Sequence, residues 1–397
     1  MTLDFPGATR REAIAAMLAA PLAGAIGNAA MAASSHPLMP GPGSLQAIAA
    51  SKGRRFGSSI GSFPGHPHGA TVQSAAYANL VATECGIIVP ENEFKWAAMR
   101  PDADHFAFAR MDSIAAFAHR RGLALRGHTL LWHRPKWFPK WLNDYDFGAN
   151  PSAEAERLLT THIKTMIGRY GSFIRSYDVV NEAIDLETNG LMQTSLSRAM
   201  GGAEAVLDLA FHTAREAAPS AQLVYNDYMS WEPSNRAHCS NVLRLLEGFR
   251  KRGTPVDALG VQSHIEMFSI DPGTGVGPYL ETEWRRFLDE VTAMGYKLLI
   301  TEFDVKDKAL PSNIPYRDAK VADFARRYLD VMLSYPNLHD VLVWGMVDKY
   351  NWLQGFAPRG DGLEVRGCPY DDFGKAKPLR AAIARALENA VPASPVS

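Results

Sequence analysis

Gln222-Leu-Val-Tyr-Asn226, then apolar residues at Val242, Leu245, Leu246 and Phe249 closed by Gly253, then Ala258-Leu-Gly-Val-Gln-Ser263: this stretch decides the fold. The two outer runs are short and apolar, as strands buried on both faces are, and the middle segment has the 3 and 4 spacing of one helix face. The unit therefore reads as strand, helix, strand, and two strands joined through a helix run parallel. Working outward, the same alternation recurs. Further runs fall at 55–61, 86–90, 123–131, 176–181, 297–301 and 341–345, with helical spacing between them, as at Leu158, Leu159, Ile163, Met166, Ile167 and Tyr170 or at Val321, Phe324, Tyr328 and Met332. Gly122, Gly171, Gly253 and Gly295 stand where helices would need a left-handed closing residue. Eight such units predict an α/β fold, a (β/α)8 TIM barrel forming a single catalytic domain over 51–390. A doubly wound open sheet is the alternative, but no Gly-x-Gly-x-x-Gly opens the first helix.

The 397 residues fit one barrel with insertions, and 47% hydrophobic with 21% charged residues exclude wholesale disorder. Lys and Arg number 41 against 42 Asp and Glu, without a block of like charge, so no nucleic-acid partner is expected. Three cysteines, Cys85, Cys239 and Cys368, contain no C-x-x-C pair and allow at most one internal disulfide.

Residues 1–33 read as an export signal. Arg10-Arg11 precedes an apolar run of 15 residues, 13–27, and then small residues, an order that resembles a twin-arginine signal. Fifteen is too short to span a bilayer, so no membrane partner is expected. The alternative is an ordinary amphipathic helix, which Glu12 favours. Residues 34–50 read as a short leader and 391–397 as a disordered tail. The expected localisation is exported, periplasmic or secreted.

Chemistry in such a barrel sits where strands deliver side chains to the C-terminal mouth. The segments following seven of the runs are dense in polar and aromatic groups: Glu91-Asn-Glu-Phe-Lys-Trp96, His128 with Trp132-His133, Asn181-Glu182, Asn226-Asp-Tyr228, Gln262-Ser-His264, Glu302-Phe-Asp304, and Trp344 with Asp348, Tyr350 and Trp352. One helix cap explains a single polar residue, not such clusters. Two carboxylates without an obvious metal set suggest glycosidic bond chemistry, in which one acid donates a proton and the other stays ionised. Glu182 and Glu302 end runs far apart around the ring. His264 and Asp304 would keep Glu302 ionised, and Asn181 offers an amide to a sugar hydroxyl. Seven of the eight tryptophans, Trp96, Trp132, Trp137, Trp141, Trp231, Trp344 and Trp352, fall at strand ends or in loops, where indoles stack on sugar rings, and only Trp284 falls in a helical segment.

Val89-Pro-Glu-Asn-Glu-Phe-Lys-Trp96, Arg126-Gly-His-Thr-Leu-Leu-Trp-His133, Tyr177-Asp-Val-Val-Asn-Glu-Ala183, Tyr225-Asn-Asp-Tyr228, Gln262-Ser-His264, Ile300-Thr-Glu-Phe-Asp304 and Val343-Trp-Gly-Met-Val-Asp-Lys-Tyr-Asn-Trp352 resemble, in order, the strand-end motifs of the glycoside hydrolase family 10 endo-β-1,4-xylanases. The resemblance implies a retaining hydrolase of xylan and xylo-oligosaccharides. Glu182 matches the family's acid/base and Glu302 its nucleophile. Asn181 matches the residue that bonds the 2-hydroxyl of the sugar being cleaved, and His264 with Asp304 the pair that orients the nucleophile. Glu91, Asn92, Lys95, His128, Trp132 and Gln262 match glycone-side positions, Trp344 and Trp352 the walls of the cleavage subsite, and Tyr228 an aglycone contact. Phe303 stands where a smaller aliphatic is common, and Arg134-Pro135 replaces the usual polar pair, a change expected to affect aglycone binding. No cofactor and no metal are expected, and the protein is expected to act as a monomer. Two rival readings are a metal-dependent hydrolase using His66, His68, His264 and Asp348, and a sugar-binding barrel without catalysis, against which both glutamates speak.

Overall fold

The computed structural model describes residues 40–63 and 71–395. Eight parallel strands, β1 (Arg55–Ile60), β2 (Ile87–Pro90), β3 (Ala124–Trp132), β4 (Ile174–Asn181), β5 (Gln222–Asp227), β6 (Ala258–Val261), β7 (Lys297–Lys306) and β8 (Leu338–Val343), form the ring. It closes where β8 pairs with β1, from Arg55 with Asp340 to Ser58 with Val343. Each strand is followed by a helix on the outside: α1 (Ala75–Glu84), α2 (Ala109–Arg121), α3 (Pro151–Tyr170), α4 (Ala203–Ala217), α5 (Arg236–Arg252), α6 (Glu281–Ala293), α7 (Ile314–Met332) and α8 (Pro378–Asn389).

The apolar runs are strands because both faces are covered, helices outside and packed side chains within; every residue of β2 and of β8 is buried. Across them α5 lays Val242, Leu245, Leu246 and Phe249, the face its periodicity marked. Each such side chain contributes about 1.5–3 kcal/mol when fully removed from water. Gly122 and Gly253 close α2 and α5 with φ of 64° and 71°. Gly171 differs from expectation: its φ is −63°, because its N–H still donates to the Ile167 carbonyl at 2.7 Å and continues the last turn of α3.

Two strand ends also differ. β7 runs on to Lys306 rather than stopping at 301, because the short strand His264–Glu266 beyond β6 pairs with Asp304–Lys306. Glu302 and Asp304 thus lie on the strand, two residues apart and on one face. Phe303 points the other way, buried and stacked on Tyr328 of α7 at 6.2 Å between ring centres. β8 ends at Val343, leaving Trp344 and Gly345 beyond it.

Packing continues past both expected domain edges. Ser44 caps a short helix, Leu45–Ala50, whose Leu45 and Ala49 are fully buried in the common core, so packing begins inside the 34–50 segment. Residues 391–394 are fastened to the barrel: buried Arg54 donates to the Val391 carbonyl, and the Ala393 and Ser394 N–H groups donate to Lys52 (2.8 Å) and Pro336 (2.7 Å); residues 396–397 lie outside the described residues. Residues 1–33 lie outside the described residues. Among the described residues no helix is long and apolar enough to cross a membrane. Cys85, Cys239 and Cys368 are all free thiols.

Candidate active site

The backbone itself is bent to build this mouth. Glu182, just past β4, has φ 52° and Ser263, just past β6, φ 64°. Non-glycine residues in the left-handed region cost on the order of 1–3 kcal/mol each. The Glu182 turn is held by its N–H, which donates to the Asn226 carbonyl at 3.0 Å, and the Ser263 turn by a 2.8 Å hydrogen bond between its hydroxyl and that of Tyr328.

Glu302 sits at the centre of a polar network, 5% exposed. Asn226 Nδ2 donates to its Oε1 at 2.7 Å, and His264 Nε2 lies 3.3 Å from its Oε2. His128 Nδ1 is 3.8 Å from Oε1. His264 Nδ1 is in turn 2.8 Å from Asp304 Oδ1, and the Trp352 indole donates to Asp304 Oδ2 at 2.7 Å. On the other side Gln262 Nε2 donates to Glu182 Oε1 at 3.0 Å. Asn181 Oδ1 bridges the two halves, accepting from Asn226 at 2.9 Å and Gln262 at 3.3 Å. The reverse orientation of the Asn181 amide would let its oxygen accept from the Trp132 indole at 3.2 Å and its N–H donate to the Asn226 carbonyl at 3.3 Å, but would set it against Asn226 Nδ2 at 2.9 Å, a donor already committed to Glu302 on an amide whose Oδ1 accepts from Thr301 at 2.7 Å.

The electrostatics separate the two carboxyls. Burial raises the pKa of Glu182, and the charge of Asp227 adds to it, while Gln262 and Arg134 work against the rise without cancelling it. Burial would also raise Glu302, but the imidazoles of His128 and His264 outweigh it and hold Glu302 below the usual carboxylate range. His264 itself, although desolvated, is pushed up to about 9 by Asp304 and Glu302, so it is an imidazolium at neutral pH. A carboxyl inclined to keep its proton thus faces the same mouth as one inclined to lose it.

The remaining sequence-predicted residues converge there too. Glu91 is buried past β2, its pKa raised by burial and by Glu93 and Glu302 against Lys95. Lys95 Nζ donates to Asn92 Oδ1 at 3.0 Å and lies 4.6 Å from the centre of the Trp132 ring. His128 is fixed by Asp178 at 2.9 Å, itself paired with Arg126 at 2.6 Å. Trp344 meets His128 edge to face at 5.3 Å, and Trp352 lies 4.8 Å from His264. Tyr228 stands beside Arg134, its hydroxyl accepting at 3.3 Å.

The tryptophans divide differently from expectation. Trp96 and Trp231 are buried at 3% and 1% exposure, stacked on His162 and Tyr279, because their loops fold back over the barrel helices. Trp141 donates to the Arg100 carbonyl at 2.9 Å. Trp137, in contrast, is exposed and stacked on Trp132 at 4.5 Å, which extends an aromatic surface along the rim. Of the rival metal set, His66 and His68 lie outside the described residues, and the Asp348 carboxylate is taken up by Lys377 Nζ at 2.7 Å. Among the described residues no three candidate ligands converge.

Sequence reasoning missed Asn226 as a site residue, although its place at the end of β5 was the available signal. Gly260 on β6 makes room for it: a Cβ there would lie 2.4 Å from Asn226 Oδ1. Arg134 was noted only as a departure, yet its Nε lies 3.1 Å from Glu182 Oε2.

Compared with known proteins, residues 44–386 match the family model described as Glycosyl hydrolase family 10. The endo-1,4-beta-xylanase B of Paenibacillus barcinonensis is 32% identical over 290 residues, covering 70% of this chain and 82% of that one. The endo-1,4-beta-xylanase B of Thermotoga neapolitana is 28% identical over 312 residues, 79% of this chain and 83% of that one. Among solved structures, native xylanase 10B from Thermotoga maritima superposes with a TM-score of 0.74 at 27% identity, over 87% of this chain and 98% of that one. Xylanase 10B from Thermotoga petrophila, solved in complex with xylobiose, gives 0.73 at 27% identity, over 87% of this chain and 97% of that one.

Proposed function

The chain belongs to glycosyl hydrolase family 10, and from that premise we propose that it is an endo-1,4-β-xylanase, cleaving internal β-1,4-xylosidic bonds of xylan and xylo-oligosaccharides with retention of configuration. The observation that carries this reading is the pair of carboxyls in one mouth with opposed environments: Glu302 held ionised by His264 and His128, and Glu182 held nearer its acid form by burial. In this reading Glu302 attacks the anomeric carbon while Glu182 protonates the departing oxygen. The glycosyl ester on Glu302 is then opened by a water that Glu182, now ionised, deprotonates. Asn181, its Oδ1 already occupied by two donors, keeps its amide N–H for the 2-hydroxyl. Glu91, Asn92, Lys95, His128, Trp132 and Gln262 hold the glycone, Tyr228 the aglycone, and Trp344 and Trp352 wall the cleaved sugar.

Xylan is preferred to cellulose in this reading because Trp352, anchored to Asp304, matches the family residue that crowds the place where the hydroxymethyl group of glucose would sit. Release of reducing ends from xylan, much faster than from a soluble cellulose derivative, is the expected result, with the β-anomer appearing first by proton NMR. Equal kcat/KM on the two polymers would refute the specificity, and first release of the α-anomer the retention.

Export belongs to the same reading and rests on sequence order alone, Arg10-Arg11 before an apolar run and small residues. Mass spectrometry of the periplasmic or extracellular protein should find a new N-terminus some thirty residues in. An intact Met1 confined to the cytosol would sink it.

A further inference from the structure

Arg134, two residues past β3, is where the sequence departs from the family pattern, and the structure puts its charge on Glu182 rather than out in the aglycone channel. Its Nη2 donates to the Ile184 carbonyl at 3.0 Å and to the Tyr228 hydroxyl at 3.3 Å, and its Cζ lies 5.5 Å from the centre of the Tyr228 ring. So anchored, Nε reaches 3.1 Å from Glu182 Oε2 with both side chains largely covered, 21% and 14% exposed. Nε makes no hydrogen bond there, so the contact is one of charge. A guanidinium does not lose its proton in the working pH range, so the charge is permanent.

The other groups facing Glu182 are few. From β3 comes the Trp132 indole N–H, and from just past β6 the Gln262 amide, both favouring the carboxylate. From β5 come Asp227, which opposes it, and the Tyr225 hydroxyl, and from just past β5 the Tyr228 hydroxyl. Asp227 is itself tied to His238 at 2.9 Å and to the Tyr225 hydroxyl. Lys95, past β2, adds a more distant positive charge shared with Glu302 and Glu91. Among the described residues Arg134 is the one cation in ion-pair contact with Glu182.

We propose, resting on the role given to Glu182 above, that Arg134 is a positioning residue that holds Glu182 toward its base form and so sets the balance between its two duties. Protonating the leaving oxygen requires the proton on Glu182, and deprotonating the incoming water requires it off. A fixed cation at Oε2 favours the second at the expense of the first. The alkaline limit for bond cleavage is therefore lower than burial alone would place it, and base catalysis stays available at lower pH.

The test is the pH dependence of the full-length enzyme and of Arg134→Gln, Arg134→Lys and Tyr228→Phe. For Arg134→Gln the alkaline limb of kcat/KM on xylo-oligosaccharides should move up by about one pH unit, the lower end of the effect of an opposite charge at this range. The acidic limb of kcat on an aryl xylobioside with an activated phenol, where opening of the ester is limiting, should move up with it, since one group titrates in both. Arg134→Lys should return both limbs most of the way, and Tyr228→Phe, which loosens one anchor, should move them in the same direction by less. A KM rise on xylo-oligosaccharides with unmoved limbs would make Arg134 an aglycone contact only and overturn the proposal. Should Arg134→Gln not fold, unmoved limbs in Tyr228→Phe overturn it equally. A wild-type protein that releases no reducing ends from xylan would instead refute the functional reading.

Discussion

Glu302→Ala is expected to lower kcat/KM on xylan by about 10⁴ to 10⁶-fold, the scale on which enzymes respond when a nucleophile acting within a unit is removed. No other carboxylate stands ready for the task. Asn226 at 2.7 Å and His264 at 3.3 Å are aimed at Glu302, and Asp304, on the same face of β7, already serves His264, Trp352 and Asn351. Activated aryl xylobiosides should fare no better than xylan, because a good leaving group does not replace the missing acceptor for the sugar. No burst of phenol should appear. His264, which owes part of its raised pKa to Glu302, keeps Asp304 as partner, so the variant should still fold and bind xylo-oligosaccharides. Binding without turnover, measured calorimetrically beside the activity assay, is the expected pairing. Xylan cleavage within tenfold of wild type would remove Glu302 from the role proposed for it.

Glu182→Ala should divide substrates that Glu302→Ala treats alike. On xylan a loss of about 10² to 10⁴-fold is expected, the usual worth of a positioned general acid, because an alkoxide leaves poorly without a proton. An aryl xylobioside with an acidic phenol should still glycosylate Glu302, giving a rapid burst followed by slow turnover, since the ester then lacks its base. Azide needs no base and fits the space left by the carboxylate, so it should restore turnover and give a β-configured azide product. The vacated space also frees Arg134 and Gln262, whose contacts with Glu182 are 3.1 Å and 3.0 Å, and both would welcome the anion. Near wild-type cleavage of xylan would show that Glu182 is not the acid. Free turnover of the activated substrate with no azide product would show that it is not the base.

By itself the sequence determined the barrel and marked out candidate residues for its mouth. Parallel strands covered on both faces must be written as apolar runs, helices between them must carry the 3 and 4 spacing, and a barrel must show its polar residues where the runs end; all three are one-dimensional signals. Glu182, Glu302, Asn181 and His264 could be singled out for that reason, and the ordered motifs from Val89 to Trp352 identified the family they resemble. What only the tertiary structure decided is how side chains from different strands meet. Asn226 reaches Glu302 across 76 residues of chain because β5 and β7 flank β6, where Gly260 leaves room for its amide. Arg134 was legible as a departure, but its effect on Glu182 depends on two anchors, Ile184 and Tyr228, brought to it from the segments that follow β4 and β5. Trp96 and Trp231 follow strand ends as Trp344 and Trp352 do, yet the first two stack on His162 and Tyr279 while the other two lie against His128 and His264, since the path of a loop settles whether an indole faces a helix or the cleft. Position along a strand is written in a local period, whereas contact across the ring depends on register and on the turns of loops, and these are set by packing among residues far apart in the chain.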